Sequence, residues 1–482
     1  MQPNSMWRIL TAFTLVALLF AACKKDMARN TGGNPNTGTG VVSSNDSIYD
    51  VFKDIYLWTD AVPDSATFKP DSYSSPFTMF DSLKGFKKNA SGANLDKYSF
   101  LDDGTVAQVL SGHAGDLGFQ VGFQTNTELR VVYVYPGSPA DLAGVKRGWK
   151  VNSINGTSSF QYGNQATYTL LDNAFGAASA NFVFTKADGT SQTSTITAAQ
   201  YNLNPILYSN IFTLNSTKVG YVVFNSFTTL NVVQSQFDNI FASFASAGVT
   251  NVVFDLRYNG GGAVETTEYL ANKMAPAAQT NKLMYSTIFN ANVTAGKFGW
   301  LFSSMKALPD YPQYKWTDIF YSEATTYAKT NFGSTGSQNI SKLSFIVTGN
   351  TASASELLYN VLLPSMSPRL VGRKTYGKPV GFIAVRIGIN DMYCINEQSL
   401  NSAGNGSYFD GLNPDVNVQD DYTNDWGSFS DPMLRAAITD QGIPASALGR
   451  IAATESLRTA EIPGFFTKAN QFKGMVTKYI KR

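Results

Sequence analysis

Beyond residue 45 the first clear pattern is helical. From Ile48 to Trp58, apolar side chains recur every three or four residues, which predicts an amphipathic helix. Residues 45–47 (Asn, Asp and Ser) each offer a side chain that can cap it. Prolines at 63, 70 and 76 interrupt the sequence that follows. We therefore predict a small helical domain over residues 46–110.

Residues 111–200 show a different pattern. Short runs of alternating polarity, such as Leu129–Val134, are separated by turn signals at Pro136-Gly137 and Asn155-Gly156. Asp188-Gly189 lies between two further runs and predicts a hairpin. This segment is expected to form a small β-rich domain.

From about residue 205, apolar strands and amphipathic helices alternate. The predicted strands are Val219–Phe224, Asn251–Arg257, Leu343–Val347 and Arg369–Gly372, and the predicted helices are Val232–Ala247 (with Gly248 as its C-cap), Ala263–Met274 and Ser355–Leu363. Such alternation is typical of an α/β fold with a largely parallel sheet that is covered on both faces.

Three smaller segments of this region are less regular. Residues 276–340 are aromatic-rich and are expected to form an insertion or a cap. Val380–Ile387 and Met392–Asn396 suggest a hairpin. We place the core at residues 201–440 and a helical tail at 441–482.

The first 22 residues are typical of a secretory signal peptide. Arg8 is followed by an apolar run, Ile9–Phe20, that is too short to span a membrane, and by two alanines before Cys23. The segment ending at Cys23 resembles a bacterial lipobox, in which the cysteine is lipidated. Ordinary cleavage beside an incidental cysteine is the alternative. Residues 23–45 then form a flexible linker, and we expect a lipid-anchored protein of the cell envelope, in the outer membrane.

Composition excludes several classes of protein. With 37 Lys and Arg against 35 Asp and Glu, the net charge of +2 argues against a nucleic-acid partner. One histidine and two cysteines cannot build the usual zinc sites or a disulfide framework. We expect neither a metal nor another cofactor. Acid–base chemistry must come from Lys, Asp, Glu, Tyr or the single His113.

Three segments carry candidate chemistry. In the first, a strand beginning at Phe254 runs into Gly260–Gly262, and a helix follows. Glycines let backbone N–H groups approach a ligand closely, and such groups could form half of an oxyanion hole. Taken alone, this segment is also compatible with an ordinary strand-to-helix turn.

The second segment contains Ser353 and Glu356, which fit the S-x-x-E capping box. Capping alone is the simpler interpretation. However, a serine at a helix start also lies beside unpaired N–H groups and the positive end of the helix dipole, which stabilise an oxyanion. Ser355 is the rival nucleophile.

The third segment surrounds Lys378 with Gly, Pro and apolar residues. Burial disfavours the ammonium form, and a desolvated lysine can act as a general base at neutral pH. A solvated surface lysine is the alternative.

Together these segments resemble peptidase family S41, the C-terminal processing (tail-specific) serine peptidases. The matching stretches are FDLRYNGGG, TASASELLYN and GKPVG, and the interval from Ser353 to Lys378 is similar to the family's Ser–Lys interval. Residues 112–157 resemble a PDZ domain, with Asp116–Phe119 as its carboxylate-binding loop. Tyr56–Trp58, Lys97–Phe100 and Tyr408–Asp415 resemble members of the family that are lipoproteins of Bacteroidetes-type bacteria.

The resemblance implies a function. Ser353 would be the nucleophile and Lys378 the general base. Backbone N–H groups of Ala354 and of Gly260 or Gly261 would bind the oxyanion. It also implies a crotonase/ClpP-like core over residues 201–440 and a PDZ-like domain over 111–200. In the PDZ-like domain, the backbone N–H groups of Leu117, Gly118 and Phe119 would capture the carboxylate of an unfolded or C-terminally exposed polypeptide.

One departure from the family pattern keeps alternatives open. Many members carry Gln four positions after the lysine, where this chain has Phe382. Either another residue, with Glu356 as a candidate, orients Lys378, or the site is a simple dyad. The chain could also be an inactive peptide-binding lipoprotein, or act on a non-peptide acyl substrate. His113 has no motif that supports a catalytic role, and the PDZ-like segment could merely shield the site.

Overall fold

The computed structural model describes residues 44–307, 313–449, 464–465 and 474–477. The predicted signal peptide, Cys23 and the linker before residue 44 lie outside the described residues. Among the described residues, no helix combines the length and the apolar character needed to cross a membrane.

The segment before residue 111 is mainly helical, as predicted. Its elements are α1 (Ser44–Ile55), α2 (Ser65–Phe68), α3 (Pro76–Leu83), β1 (Phe100–Asp102) and α4 (Thr105–Leu110). Helix α1 buries Ile48, Val51, Phe52 and Ile55 on one face. The helix begins at Ser44, so the predicted capping residues lie within its first turn, and the Asn45 amide donates to the Pro70 and Tyr73 carbonyls instead.

The next segment is rich in strands. Its elements are β2 (His113–Asp116), β3 (Phe119–Phe123), β4 (Leu129–Val134), α5 (Pro139–Leu142), β5 (Lys150–Ile154), α6 (Gln165–Gly176), β6 (Ser179–Thr185), β7 (Ser191–Thr197) and β8 (Ala199–Asn202). Strands β3 to β7 are antiparallel neighbours in chain order. The hairpin predicted at Asp188-Gly189 is the β6–β7 connection.

The remaining elements begin with the predicted alternation of strands and helices and continue, after residue 372, mainly as strands. They are β9 (Ile206–Leu214), β10 (Thr217–Phe224), α7 (Leu230–Ala247), β11 (Asn251–Asp255), β12 (Gly261–Ala263), α8 (Val264–Met274), β13 (Leu283–Ile288), α9 (Ala291–Thr294), α10 (Trp300–Ser304), α11 (Trp316–Thr325), β14 (Lys329–Asn331), β15 (Lys342–Val347), α12 (Ala354–Met366), β16 (Arg369–Gly372), β17 (Val380–Gly381), β18 (Val385–Ile387), β19 (Asn390–Tyr393), β20 (Glu397–Asn401), β21 (Val416–Asn417), α13 (Pro432–Asp440), β22 (Gly464–Phe465) and β23 (Gly474–Val476).

A six-stranded sheet lies at the centre of this region, in the order β21-β16-β15-β11-β10-β9. All neighbours are parallel except the β9–β10 pair. One face packs against α7, α8 and α12, and the other packs against α13. Both faces are therefore covered, and strands such as β11 are buried at every position.

Two parts of the core differ from the sequence predictions. The 276–340 segment, expected to be irregular, contains three short helices and strands β13 and β14. The predicted strand Val380–Ile387 is divided, because β17 pairs with β20 whereas β18 pairs with β19. The predicted hairpin is therefore limited to β18 and β19. Pairing partners distant in the sequence decide this division.

The helical tail predicted over 441–482 is described only in part: Ala445–Leu448 forms a 3-10 helical turn, but the described residues after 449 are mainly strands. Gly464–Phe465 and Gly474–Val476 are strands that pair with other parts of the chain. Their conformation depends on open strand edges elsewhere, which local sequence does not reveal.

Candidate active site

The glycine segment Gly260–Gly262, called the glycine loop below, follows β11. Asn259 holds it, because the Asn259 side chain donates to the Phe224 carbonyl at 2.9 Å and accepts from the Gly261 N–H at 2.9 Å. Gly261 has a φ of 101° and Gly262 a φ of 140°. Only glycine adopts such angles at low cost, so the loop can press closely against its neighbours.

The loop lies directly against the start of α12. A Cβ on Gly261 would stand 2.9 Å from both the Ala352 carbonyl oxygen and the Ala354 nitrogen. Ala354 is the first residue of α12, so its N–H belongs to the first turn, where helical N–H groups lack intrahelical partners. The geometry supports an oxyanion hole here, although the Gly261 N–H already donates to Asn259. Gly260 is therefore the better candidate for the second donor.

Ser353 precedes α12 and is fully buried with a φ of 62°. Left-handed backbone costs a residue with a side chain about 1–3 kcal/mol. The predicted capping box is only half formed. The Ser353 N–H donates to Glu356 Oε2 at 2.8 Å, but the Ser353 side chain accepts no capping hydrogen bond. The Ser353 hydroxyl has no hydrogen-bond partner among the described residues. The capping interpretation therefore does not account for this hydroxyl.

Ser355, the rival nucleophile, is committed elsewhere. Its hydroxyl donates to the Asn259 carbonyl at 3.0 Å, and the Ala352 N–H donates to the same oxygen at 3.0 Å. Ser355 thus fixes the glycine loop against the helix. Its structural role favours Ser353 as the reactive hydroxyl.

Glu356 joins the two candidate catalytic segments. Its carboxylate accepts hydrogen bonds from the Ser353, Gly377 and Lys378 N–H groups at 2.8 Å each, and from the Thr375 hydroxyl. The Ser353 and Lys378 nitrogens share Glu356 Oε2, so they cannot be more than twice 2.8 Å apart. Burial raises the pKa of the Glu356 carboxyl, and these four donors oppose the rise.

Lys378 is fully buried, as predicted from its neighbours. Burial lowers the pKa of its ammonium well below the ordinary value, and the negative charges of Asp96 and Glu356 oppose this only in part. A lysine that loses its proton readily fits the role of a general base.

Phe382, at the position where many family members have Gln, covers the lysine. Its ring centroid lies 3.6 Å from Lys378 Nζ. The face of an aromatic ring attracts a cation and excludes water, so Phe382 can restrict the amine without a hydrogen bond. Glu356, the candidate orienting residue, holds the lysine backbone.

Two further residues, with no role predicted from the sequence, belong to this site. The Tyr98 ring lies 5.5 Å from Lys378 Nζ, and its hydroxyl donates to the Gly377 carbonyl. Asp96 is buried and accepts from Tyr56 and from Ser99. Both residues belong to or adjoin the stretch Lys97–Phe100, whose resemblance to the family was the available signal.

The predicted peptide-binding loop is buried at Leu117, Gly118 and Phe119. Gly118 has a φ of 80° and packs against Ser138, so a side chain could not be accommodated there. Its N–H already donates to the Asp116 carboxylate at 2.8 Å. An incoming carboxylate would therefore have to displace an existing anion.

His113 lies in β2 and is exposed. Within the part of the chain that the structure describes, no group of three or more His, Cys, Asp or Glu side chains is arranged to hold a metal ion.

Comparison with known proteins finds two matching family models and similar curated proteins. The family model "Peptidase family S41" matches residues 218–418, and "Peptidase S41 N-terminal domain" matches residues 43–100. A carboxyl-terminal-processing protease of Picosynechococcus sp. is 25% identical over 278 residues, which are 56% of this chain and 55% of that protein. The chloroplastic C-terminal processing peptidase of Tetradesmus obliquus is 23% identical over 313 residues, 61% of this chain and 57% of that protein.

A solved structure has a similar fold. The chain matches a crystal structure of an S41 protease from Bacteroides fragilis with a TM-score of 0.61 at 20% identity, over 82% of this chain and 96% of that one.

These findings define the class of protein by similarity: the chain resembles known peptidases in sequence and in fold. The two family models together cover more than half of the sequence, and the chain belongs to peptidase family S41. The matches span little more than half the length of the two curated relatives.

Proposed function

We propose that this protein is a serine endopeptidase of the C-terminal processing type, which hydrolyses peptide bonds of unfolded or C-terminally exposed polypeptides. One observation carries the proposal: the buried Ser353 hydroxyl has no partner among the described residues, and Glu356 ties its backbone to that of a desolvated lysine. A permanently buried and unsatisfied hydroxyl is costly, and such groups are retained where chemistry needs them.

In the proposed mechanism, the Ser353 hydroxyl oxygen attacks the scissile carbonyl while neutral Lys378 takes the hydroxyl proton. The N–H groups of Ala354 and Gly260 then stabilise the oxyanion. When the tetrahedral intermediate collapses, the lysine passes the proton to the departing amine. Water subsequently hydrolyses the acyl-enzyme by the same route.

The test compares Ser353→Ala and Lys378→Met with Ser355→Ala, using an unstructured protein substrate. The first two variants should lose about 10³-fold or more in kcat/KM, because the nucleophile and its general base act as a unit and the loss of either one removes the contribution of both. Ser355→Ala should keep most of the activity. If Ser355→Ala is inactive and Ser353→Ala cleaves normally, the assignment of the nucleophile is wrong.

A second candidate is a peptide-binding protein that has lost turnover, and Phe382 is the residue that favours it. Mass spectrometry after substrate addition and acid quenching distinguishes the two. An acyl adduct on Ser353 would eliminate the inactive alternative, whereas its absence together with no cleavage would support it.

We also propose that residues 111–200 act as a PDZ-like domain that captures the substrate and sits beside a crotonase/ClpP-like core over 201–440. The position of the loop Leu117–Phe119 at the start of strand β3, as in a carboxylate-binding loop, supports this role. Peptides that differ only in a free or amidated C-terminus test it. Equal kcat/KM values for the two would contradict carboxylate capture. Because the Asp116 carboxylate already accepts from the Gly118 N–H, Asp116→Asn is the informative variant.

Finally, we propose that Cys23 carries a lipid that anchors the protein in the cell envelope, at the outer membrane. Metabolic labelling with a fatty acid and membrane fractionation test this. Cys23→Ser should lose the label and shift the protein to the soluble fraction. An unchanged distribution would contradict the anchor.

A further inference from the structure

The strand β23 and the next residue, Thr477, together called the tail segment, lie between the two candidate catalytic segments. On one side β23 pairs in parallel with β12, from Gly261 opposite Gly474 to Ala263 opposite Val476. On the other side the Phe382 N–H donates to the Met475 carbonyl at 2.9 Å, and the Thr477 N–H donates to the Phe382 carbonyl at 3.0 Å. The tail segment thus pairs with both the glycine loop and the residue that covers Lys378.

The main chain at Gly474 lies against the glycine loop. The Gly474 N–H donates to the Gly260 carbonyl at 3.1 Å. A Cβ built on Gly261 would be 2.5 Å from the Gly474 oxygen and 2.9 Å from the Ala354 nitrogen. Both distances are measured from the same Cβ position, so the Gly474 oxygen and the Ala354 nitrogen cannot be farther apart than their sum. The Gly474 carbonyl and the N–H of Ala354, the proposed oxyanion donor, therefore border the same face of Gly261.

The side chains of the tail segment are also seated. Met475 is fully buried, in the apolar cluster that contains Ala354 and Leu357 of α12. The Thr477 hydroxyl donates to the Glu397 carboxylate at 2.5 Å. An extended chain held by its backbone on both edges, with its side chains in pockets, is bound as a peptide is bound by strand addition.

A second contact involves the same late part of the chain. Strand β22 pairs antiparallel with β3, with Gly464 opposite Phe123 and Phe465 opposite Gly122. Strand β3 follows the loop Leu117–Phe119, so its edge is the one proposed to receive a substrate. Two separate strands of this chain therefore occupy the two edges at which the proposed function places a polypeptide.

We propose that the tail segment is an internal occupant of the substrate site, so that the full-length chain inhibits itself. The inference rests on the proposed function, because it identifies the occupied edges as the path of a polypeptide substrate. It assigns that path a register: the substrate residue at the oxyanion donor takes the position of Gly474, and the next residue places its side chain where Met475 lies. The substrate class is thus an extended polypeptide with a medium-sized apolar residue at the position of Met475.

The test shortens the chain so that it ends at residue 473, and compares cleavage of an unstructured peptide by the full and the shortened chains. We expect kcat/KM to rise at least tenfold on shortening. A synthetic peptide of residues 474–482 should then inhibit the shortened chain competitively, and the same peptide with Met475→Asp should inhibit at least tenfold more weakly.

Point variants provide a matched control in case the shortened chain does not fold. Met475 and Met433 are both fully buried, but Met433 lies on α13, on the opposite face of the central sheet. Met475→Ala and Met433→Ala should therefore lose similar stability. Only Met475→Ala should gain activity, because only that change loosens the tail segment.

The outcomes separate this inference from the proposed function. If a folded, shortened chain cleaves no faster than the full chain, or if Met475→Ala gains nothing over Met433→Ala, the tail segment is a permanent structural strand and the inference is wrong. If the shortened chain binds the labelled 474–482 peptide but cleaves no substrate, occupancy stands and the peptidase proposal fails.

Discussion

The backbone of Ser353 is held in a conformation that residues with side chains avoid, at φ 62° and ψ −111°. The surrounding structure imposes it, because the Ser353 N–H is fixed by Glu356 while its carbonyl accepts from the Leu357 N–H at 2.7 Å. This conformation also explains why the hydroxyl does not cap α12. Strain at this residue and the availability of its hydroxyl have the same origin.

A first prediction compares Ser353→Gly with Ser353→Ala. Both variants should be inactive, because both lack the hydroxyl. Ser353→Gly should be more stable than Ser353→Ala by about 1–2 kcal/mol, since glycine relieves the left-handed strain. Urea unfolding of the two variants measures the difference, and equal stabilities would show that the backbone relaxes when the side chain is removed.

A second prediction concerns Lys378, whose environment combines burial with the opposing charges of Asp96 and Glu356. Because the pKa of Lys378 is lowered in the folded state, the unfolded chain binds one more proton between that lowered pKa and about 10.4. Within this pH window, the contribution of Lys378 to the free energy of unfolding increases by about 1.4 kcal/mol per pH unit.

Lys378→Met removes this dependence while keeping an apolar chain of similar length. The variant should be more stable than the native protein at neutral pH, and its advantage should shrink as the pH approaches 10. Thermal unfolding of both proteins across pH 6–10 checks the slope. Parallel curves would mean that Lys378 keeps its ordinary pKa in the folded protein.

At the scale of elements, the site depends on how the start of α12 is joined to the loop that precedes β17. Glu356, in the first turn of the helix, accepts hydrogen bonds from the N–H groups of Ser353, Gly377 and Lys378. These bonds are the described link between the backbones of the proposed nucleophile and the proposed base. Glu356 is therefore a positioning residue, which acts through its neighbours.

The matching prediction is that Glu356→Gln lowers kcat while leaving KM nearly unchanged. The amide turns one acceptor oxygen into a donor that faces N–H groups, which costs about 1–3 kcal/mol. Steady-state kinetics and unfolding are measured together. Thr375→Val is the control, because it removes one hydrogen bond to the same carboxylate but no link to Ser353 or Lys378. An equal loss of kcat and stability in both variants would indicate a purely structural role.

At the scale of the whole molecule, a buried ionic cluster connects the β-rich segment to the strand that leads into the glycine loop. Arg257 pairs with Asp255, Asp420 and Asp431. Arg147, from the β-rich segment, donates to the Tyr258 hydroxyl at 3.0 Å and lies 3.8 Å from Asp420. Burial by itself would lower the pKa of the Arg257 guanidinium, but the surrounding carboxylates outweigh burial and keep this pKa well above its ordinary value.

We expect Arg147→Met to destabilise the protein by about 3 kcal/mol or more, because buried partners lose their donor. The guanidinium also donates to the Asp421 and Asn424 carbonyls, at 3.0 and 2.9 Å. Arg130→Met is the control, since Arg130 is partly exposed and pairs with Glu128, and it should cost about 1 kcal/mol or less. Similar losses in both variants would contradict a special role for this cluster.

Much of the architecture could be predicted from periodicity. Strand β4 has the predicted bounds, and α7 has its C-cap at the predicted Gly248. These elements could be predicted because each buries one face, so its apolar residues recur with the period of a strand or a helix. The division between β17 and β18 and the strands after residue 463 could not be predicted. Each depends on pairing with a strand edge that is distant in the sequence, and the local sequence does not identify that edge.

The sequence by itself determined the family, the α/β alternation of the core and the identity of Ser353 and Lys378 as candidates, since these depend on residue type and spacing along the chain. Only the tertiary structure decided that Lys378 is dehydrated, that Glu356 connects the two segments, and that the tail segment lies between the glycine loop and Phe382. Desolvation and strand pairing are properties of the surroundings in space. They arise when segments such as 96–98, 353–356, 378–382 and 474–477 come together, and no single segment encodes them.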